Sequence, residues 1–437
     1  MLTRIQKGGR CAALVLAWAL TALPTAPALA DVAVLPRVAP EQVGMSGERL
    51  ERLSALTQRY VDEGKLAGAV VLVAREGQVV HLDAVGKADI EQDTPMREDT
   101  LFRIYSMSKP IAAVATMILY EEGAFQLKDP ISKFLPELAE LEVLNEDGSR
   151  VPAQPVNMQH LLTHTAGFSY GFSPRDPVDV MYRESEWSES ADLDEFIARI
   201  ARLPLRFQPG TRWHYSVAND ILGAVVERIS GQRFDEFLTE RLFRPLGMND
   251  TFFDIPADKR DRLGTNHGYD REAGRLQVLP TPAYPLWQDT TFFSGGAGLI
   301  STATDYARFA EMLRNGGALG DVRILSPKTV QLITMDHLPA AVSADGTGER
   351  PGLGALGSYT GAGFGLGFGV VHDVPATGVI GSVGEYSWGG AAGTIFWVDP
   401  VEDLVVVGMI QLMQSPWPLR SELKVLTYQA LTRLNED

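Results

Sequence analysis

LFRIYSMSKPIAAVATMILYEEG, residues 101 to 123, decides how the rest of this chain is read. From Ile111 onward it is a strongly helical run of Ala, Val, Ile, Leu and Met, and at its head stands Ser106-Met107-Ser108-Lys109. On a helix Ser106 and Lys109 project from one face about a turn apart, which brings an amine within hydrogen-bond reach of a hydroxyl. Pro110 is compatible with that helix because first-turn N–H groups lack intrahelical acceptors. The helix dipole favours negative charge developing at Ser106. The apolar neighbours from Ile111 to Ile118 supply the desolvation that lowers a lysine pKa, and only a neutral lysine can take a proton from serine. The same spacing recurs at Ser421-Glu422-Leu423-Lys424, where the C-terminal helix reads simply as a solvated face.

A competing signal is Gly167-Phe168-Ser169-Tyr170-Gly171, the G-x-S-x-G pattern that marks the nucleophile in many hydrolases. A nucleophile elbow needs a buried strand before the serine and a helix after it. Upstream, MQHLLTHTAG (158 to 167) reads as a short helix ended by Gly167; downstream, SPRDP (173 to 177) blocks immediate helix formation with two prolines. His267 and His372 are the plausible downstream triad histidines, and neither has a supporting context. Ser169 is therefore read as part of a turn that needs two glycines.

The chain has 437 residues and carries a net charge of −16. Its start has three basic side chains within ten residues, then the apolar run CAALVLAWALTAL (11 to 23) and Ala28-Leu29-Ala30. This order is that of a secretory signal peptide, residues 1 to 30, giving a periplasmic or secreted protein. No later stretch approaches the roughly 20 apolar residues of a membrane helix. The only cysteine, Cys11, lies in the leader, so the mature chain has no disulfide, thiol nucleophile or thiolate metal site. The acidic balance disfavours nucleic acid as a partner.

AGAVVLVAREGQVVHLDAVG (67 to 86) and TIFWVDPVEDLVVVGMI (394 to 410) each read as a β-hairpin, and FGLGFGVVHD (364 to 373) as a third strand. Between them, residues 110–122, 193–200, 220–229, 234–242 and 304–314 show helical periodicity, as does 419–434 at the end. The expected fold is α/β, of α+β type: an antiparallel sheet assembled from both chain ends and flanked by helices. Residues 31–110 and 290–437 would form the sheet domain and 111–289 a mostly helical one, with the site in the cleft between them. Residues 171–192 are expected as a lid, and 339–362 as a second, Gly-rich loop.

With HLLTHTAG (160 to 167), PLGMNDTFF (245 to 253), GGAGLISTATDYARF (295 to 309) and the FWVDP hairpin added to Ser106-x-x-Lys109, the mature chain resembles the serine β-lactamase and penicillin-binding-protein superfamily. It is most similar to class C β-lactamases and to the family VIII carboxylesterases built on that scaffold. The resemblance implies that Tyr215 in WHYSVANDILG supplies the second motif and moves the proton between Ser106 and the leaving group. Val217 stands where β-lactamases carry an asparagine, and Asn219 is out of register for that role. In place of a Lys-Thr-Gly strand the chain has SWGGAAGTIFW, so Trp388, Gly389 and Gly390 would face the substrate and the Ala391 amide would join that of Ser106 as the oxyanion hole. Tyr105 and Tyr170 lie beside these motifs and are candidate substrate contacts.

Loss of the motif lysine removes the cation that pairs with a penicillin or peptide carboxylate. The expected activity is hydrolysis of small or medium uncharged esters through an acyl-enzyme, with a small-molecule ester as the partner. A β-lactamase, D,D-peptidase, amidase or acyltransferase is the alternative within enzymes, and a non-catalytic ligand-binding protein the alternative outside them. His160 and His164 have an i, i+4 spacing but no glutamate between them and no third ligand, so neither metal nor cofactor is expected.

Overall fold

The structure is a computed structural model, and it describes residues 1–3, 35–280, 287–338, 342 and 361–435. The leader expected at 1–30 and most of the Gly-rich 339–362 stretch fall outside the described residues. The strands and helices all belong to one unit, residues 32–437.

Near-continuous β-branched runs form the centre. β1 (Gly68–Arg75) and β2 (Gln78–Asp89) turn at Glu76-Gly77, both with positive φ, and β3 (Thr94–Pro95) comes next. From the other end of the chain come β4 (Ala362–Phe364), β5 (Gly369–Val371), β6 (Tyr386–Gly389), β7 (Ile395–Asp399) and β8 (Leu404–Met409). They make one antiparallel sheet in the order β4-β5-β6-β7-β8-β1-β2-β3. The seam between the two ends is the β1–β8 pairing, Val70 opposite Met409 through Arg75 opposite Leu404. Every residue of β1, β7 and β8 is buried, so both faces must be covered. The 364 to 373 segment, expected as one strand, is a hairpin: Gly367 adopts φ +97°, close against the Ala113 side chain, and folds β5 back on β4.

Six helices matter for the site. α1 (Gly47–Asp62) is capped by Ser46 and lies against the sheet beside α6 (Leu419–Tyr428), joined by the Tyr60 hydroxyl donating to Glu422 at 2.6 Å. α2 (Ser108–Glu121) is buried from Ser108 to Leu119; α4 (Ala218–Ser230) packs on it, and α3 (Met158–Leu162) packs on α4. α5 (Ala303–Arg314) packs on β1, β7 and β8. α6 stops at Tyr428, short of the expected 434. Residues 171–192 are not structureless: Asp176 caps a helix over Pro177–Glu184, and a 3₁₀ turn covers Trp187–Glu189.

Candidate active site

Ser106 sits in a 3₁₀ turn, Tyr105–Met107, that runs directly into α2. Arg103 pairs with Ile300 in a short ladder and the Ile104 N–H donates to Leu299 O at 3.1 Å, while the Tyr306 hydroxyl of α5 donates to Met107 O at 2.9 Å. Those bonds hold Tyr105 at φ +43°, a left-handed conformation that is strained for a bulky residue. The strain falls on the residue before the serine.

Lys109, on the first turn of α2, donates from Nζ to Ser106 Oγ at 3.2 Å and to Gly296 O at 2.7 Å. Its side chain is buried, and burial lowers its pKa to about 7 against the opposing pull of the Asp220 carboxylate. The ring of Tyr215 lies 4.5 Å from the Lys109 nitrogen and that of Tyr170 at 5.1 Å. Burial pushes the Tyr215 phenol up, which the Ser106 and Trp388 side chains only partly offset. It is therefore a proton donor at neutral pH. The Trp388 indole N–H faces the same phenol without reaching it at ordinary hydrogen-bonding geometry.

Asp220 is the residue sequence reasoning missed. It lies five positions after Tyr215, at the start of α4, fully buried. Its Oδ1 accepts from the Ser294 hydroxyl and the Gly296 N–H, and its Oδ2 from the Tyr170 hydroxyl at 3.5 Å. The Gly296 peptide thus links carboxylate to lysine. A Cβ on Gly296 would stand 2.5 Å from Asp220 Oδ2 and 2.6 Å from the Tyr170 oxygen, so this close approach requires glycine. The Gly295-Gly296 pair in the sequence was the available signal. Asn219 donates to Lys109 O at 3.2 Å and so braces α2.

A cavity of about 380 Å³ opens at Ser106. Tyr215, Trp388, Gly389, Gly390 and Ala391 line it, together with Phe172, Ile410, Trp417, Leu419 and Arg420. Phe172 is exposed and stacks on Tyr170, so the 171–192 segment contributes an aromatic to the mouth. Gly390 packs against the nucleophile's own turn: a Cβ there would lie 2.5 Å from Ile104 O. Tyr170 stands behind Lys109 and does not line the cavity. Tyr105 lies in a separate apolar cluster with Trp287, its ring edge-on at 5.4 Å, and its hydroxyl accepts from Asn266 at 2.6 Å.

Ser169 is fully buried, between Gly167 and Gly171, both at positive φ. Its hydroxyl donates to Asp179, and its oxygen meets His214 Nε2 at 3.2 Å and accepts from the Gly171 N–H at 3.3 Å. The histidine at hand is thus His214, not His267 or His372. His160 closes a capping box with Asn157 at the start of α3, and His164, deeply buried and held neutral, packs on Tyr215 at 5.0 Å. Among the described residues no cluster of three or more His, Cys, Asp and Glu could hold a metal, and no helix is long and apolar enough to cross a membrane.

The family described as Beta-lactamase matches residues 53–429. Esterase EstB of Burkholderia gladioli is 34% identical over 383 residues, covering 82% of this chain and 88% of the esterase. The lovastatin esterase of Penicillium rubens is 31% identical over 373 residues, 81% of this chain and 91% of that protein. Among solved structures, EstCE1, a hydrolase with promiscuous acyltransferase activity, superimposes with a TM-score of 0.73 at 28% identity, over 88% of this chain and 99% of its own. The chain therefore belongs to the β-lactamase family and is a serine hydrolase.

Proposed function

We propose that the protein is an exported carboxylesterase that cleaves small or medium uncharged esters through an acyl-enzyme on Ser106. What carries this function is the state of Lys109: a buried amine, 3.2 Å from the serine oxygen, whose pKa of about 7 leaves much of it neutral at working pH. Ser106 Oγ attacks the ester carbonyl as its proton passes to Lys109. The carbonyl oxygen becomes an oxyanion in front of the Ser106 and Ala391 amides. Tyr215 gives its proton to the departing alkoxide and recovers one from the Lys109 ammonium. Water repeats the sequence on the acyl-enzyme, releasing the acid and restoring the Ser106 hydroxyl.

Trp388 forms an apolar wall where a cation would pair with a carboxylate, which favours uncharged esters over penicillins and peptide C-termini. Acyl transfer is the second reading, favoured by the apolar side chains of Phe172, Ile410, Trp417 and Leu419 in the cavity lining, which can hold an alcohol in place of water. Treatment of the folded protein with a small fluorophosphonate, followed by peptide mapping, tests the nucleophile: a single adduct on Ser106 is expected, and an adduct elsewhere or none refutes it. Turnover of p-nitrophenyl butyrate against a chromogenic lactam tests the substrate class, and added short alcohols divert product to new esters if transfer competes.

A further inference from the structure

Ala391 lies in a turn, residues 390–394, that joins β6 to β7. The turn closes on itself through Gly390 N–H donating to Thr394 O at 2.8 Å and Gly393 N–H to Gly390 O at 3.0 Å. The Ala391 N–H donates to no backbone acceptor among the described residues. From the first turn of α6, Arg420 reaches the other side of this turn. Its Nη2 donates to Gly390 O at 2.6 Å and to Thr394 O at 3.1 Å, and its Nε meets Gly393 O at 3.4 Å.

The Gly390 carbonyl and the Ala391 N–H belong to one planar trans peptide, so they point in opposite directions. Whatever fixes the first aims the second. We infer that Arg420 is a positioning residue for acyl transfer: by holding the Gly390 carbonyl it turns the Ala391 N–H toward the oxyanion. A cation on the carbonyl also polarises the peptide and makes its N–H a stronger donor. α6 is itself fixed to the sheet by Lys424, which pairs with the buried Glu385 at 2.5 Å, and by Tyr428, whose hydroxyl lies 2.6 Å from Asp399 Oδ2 and 2.9 Å from Glu385 Oε2. Arg420 is thus mounted on a braced helix.

The inference rests on Ala391 serving as an oxyanion donor, so its test separates the two. In Arg420→Met, kcat for p-nitrophenyl butyrate is expected to fall about 10- to 100-fold, less than the loss of a whole donor. KM should move by less than about threefold, and the pH limb near 7 set by Lys109 should stay in place. Affinity for a boronic acid, which mimics the tetrahedral oxyanion, should fall in parallel with kcat. Arg420→Lys keeps the charge but cannot bind several carbonyls at once, and should give an intermediate kcat; it stands in if the Met variant fails to fold. A loss confined to KM, or an unchanged kcat and boronate affinity in these variants, overturns the role of Arg420. Ala391→Pro deletes the N–H: unchanged kcat there refutes the oxyanion reading itself, whereas loss there with unaltered Arg420 variants refutes only the positioning role.

Discussion

Ser106 and Ser169 each stand beside a basic group, and of the two only Ser106 lines the cavity. At Ser169 the hydroxyl proton is already given to Asp179, and the oxygen's lone pairs are met by the Gly171 N–H and His214 Nε2. With the hydroxyl proton directed at Asp179, His214 Nε2 can bond the oxygen only through an N–H and does not stand ready as a base, and Asp179 cannot take the proton either. Burial raises its pKa, but Ser169, the Ser173 N–H and Arg206 outweigh that and hold it below the usual carboxylate range. At Ser106 the neighbour is an amine that burial brings to neutrality near pH 7, and the oxygen opens on free volume. Reactivity comes from an amine near neutrality beside a serine that opens on a cavity, and the G-x-S-x-G pattern around Ser169 is no guide to that.

The sharpest way to break this contrast is a pair of alanine variants. Ser106→Ala should lose on the order of 10⁴-fold or more in kcat on p-nitrophenyl butyrate, as expected when a covalent nucleophile is removed. Ser169→Ala should keep kcat within a few-fold. Its effect should appear in stability instead: Asp179 loses a donor inside the fold, at a cost of about 1–3 kcal/mol, readable as a lower midpoint in urea. Loss of turnover in Ser169→Ala with retained turnover in Ser106→Ala would invert the assignment.

A finer test uses pH. With Lys109 as the base, kcat/KM should rise with pH through about 7 and level off above it, because the free enzyme must hold the lysine neutral. Asp220 stabilises the charged lysine, so Asp220→Asn should move that limb to lower pH. Unmoved limbs in both Asp220→Asn and Lys109→Arg would remove the lysine from the chemistry. No comparable limb should arise from the Ser169 cluster.

How much of this was legible depends on the range of the interactions. The hairpins at 67–86 and 394–410 and the helix after Ser106 depend on local periodicity and turn residues, so their composition declares them. The superfamily likeness then supplied Tyr215, Trp388 and Ala391. Asp220 and Arg420 were not legible, because their importance lies in contacts across 76 and 30 residues of chain that no local pattern encodes. Phe172 was hidden in the same way, since the cavity it borders is assembled from distant segments. Tyr105 and Tyr170 were near the motifs in sequence, yet one packs on Trp287 and the other against Lys109. Proximity along the chain does not say which side of a turn a ring takes. The helix within 171–192 was hidden by the prolines at 174 and 177; Pro177 in fact opens it, at the position where a missing N–H is harmless.

The smallest expected effect extends the contrast to a second buried carboxylate. Asp179 has several donors and stays ionised; Glu385 has Lys424 and Tyr428, yet burial first, and the adjacent Asp399 carboxylate as well, push its pKa up to about 7. A folded pKa above the ordinary 4.5 means the native state holds a proton that the unfolded chain releases, so this group's stabilisation is complete below pH 4.5 and is lost as pH rises through about 7. Asp179, with its pKa lowered, contributes above its ordinary value of 3.8 and does not change over that interval. His160, depressed to about 4 by burial, acts in the opposite direction between that value and 6.5, so the informative quantity is a difference between proteins. Melting temperatures at pH 5 and pH 7 should show the parent losing more stability on that rise than Glu385→Gln does. If both respond alike, Glu385 is ionised throughout, and its pairing with Lys424 has overcome burial as the donors around Asp179 do.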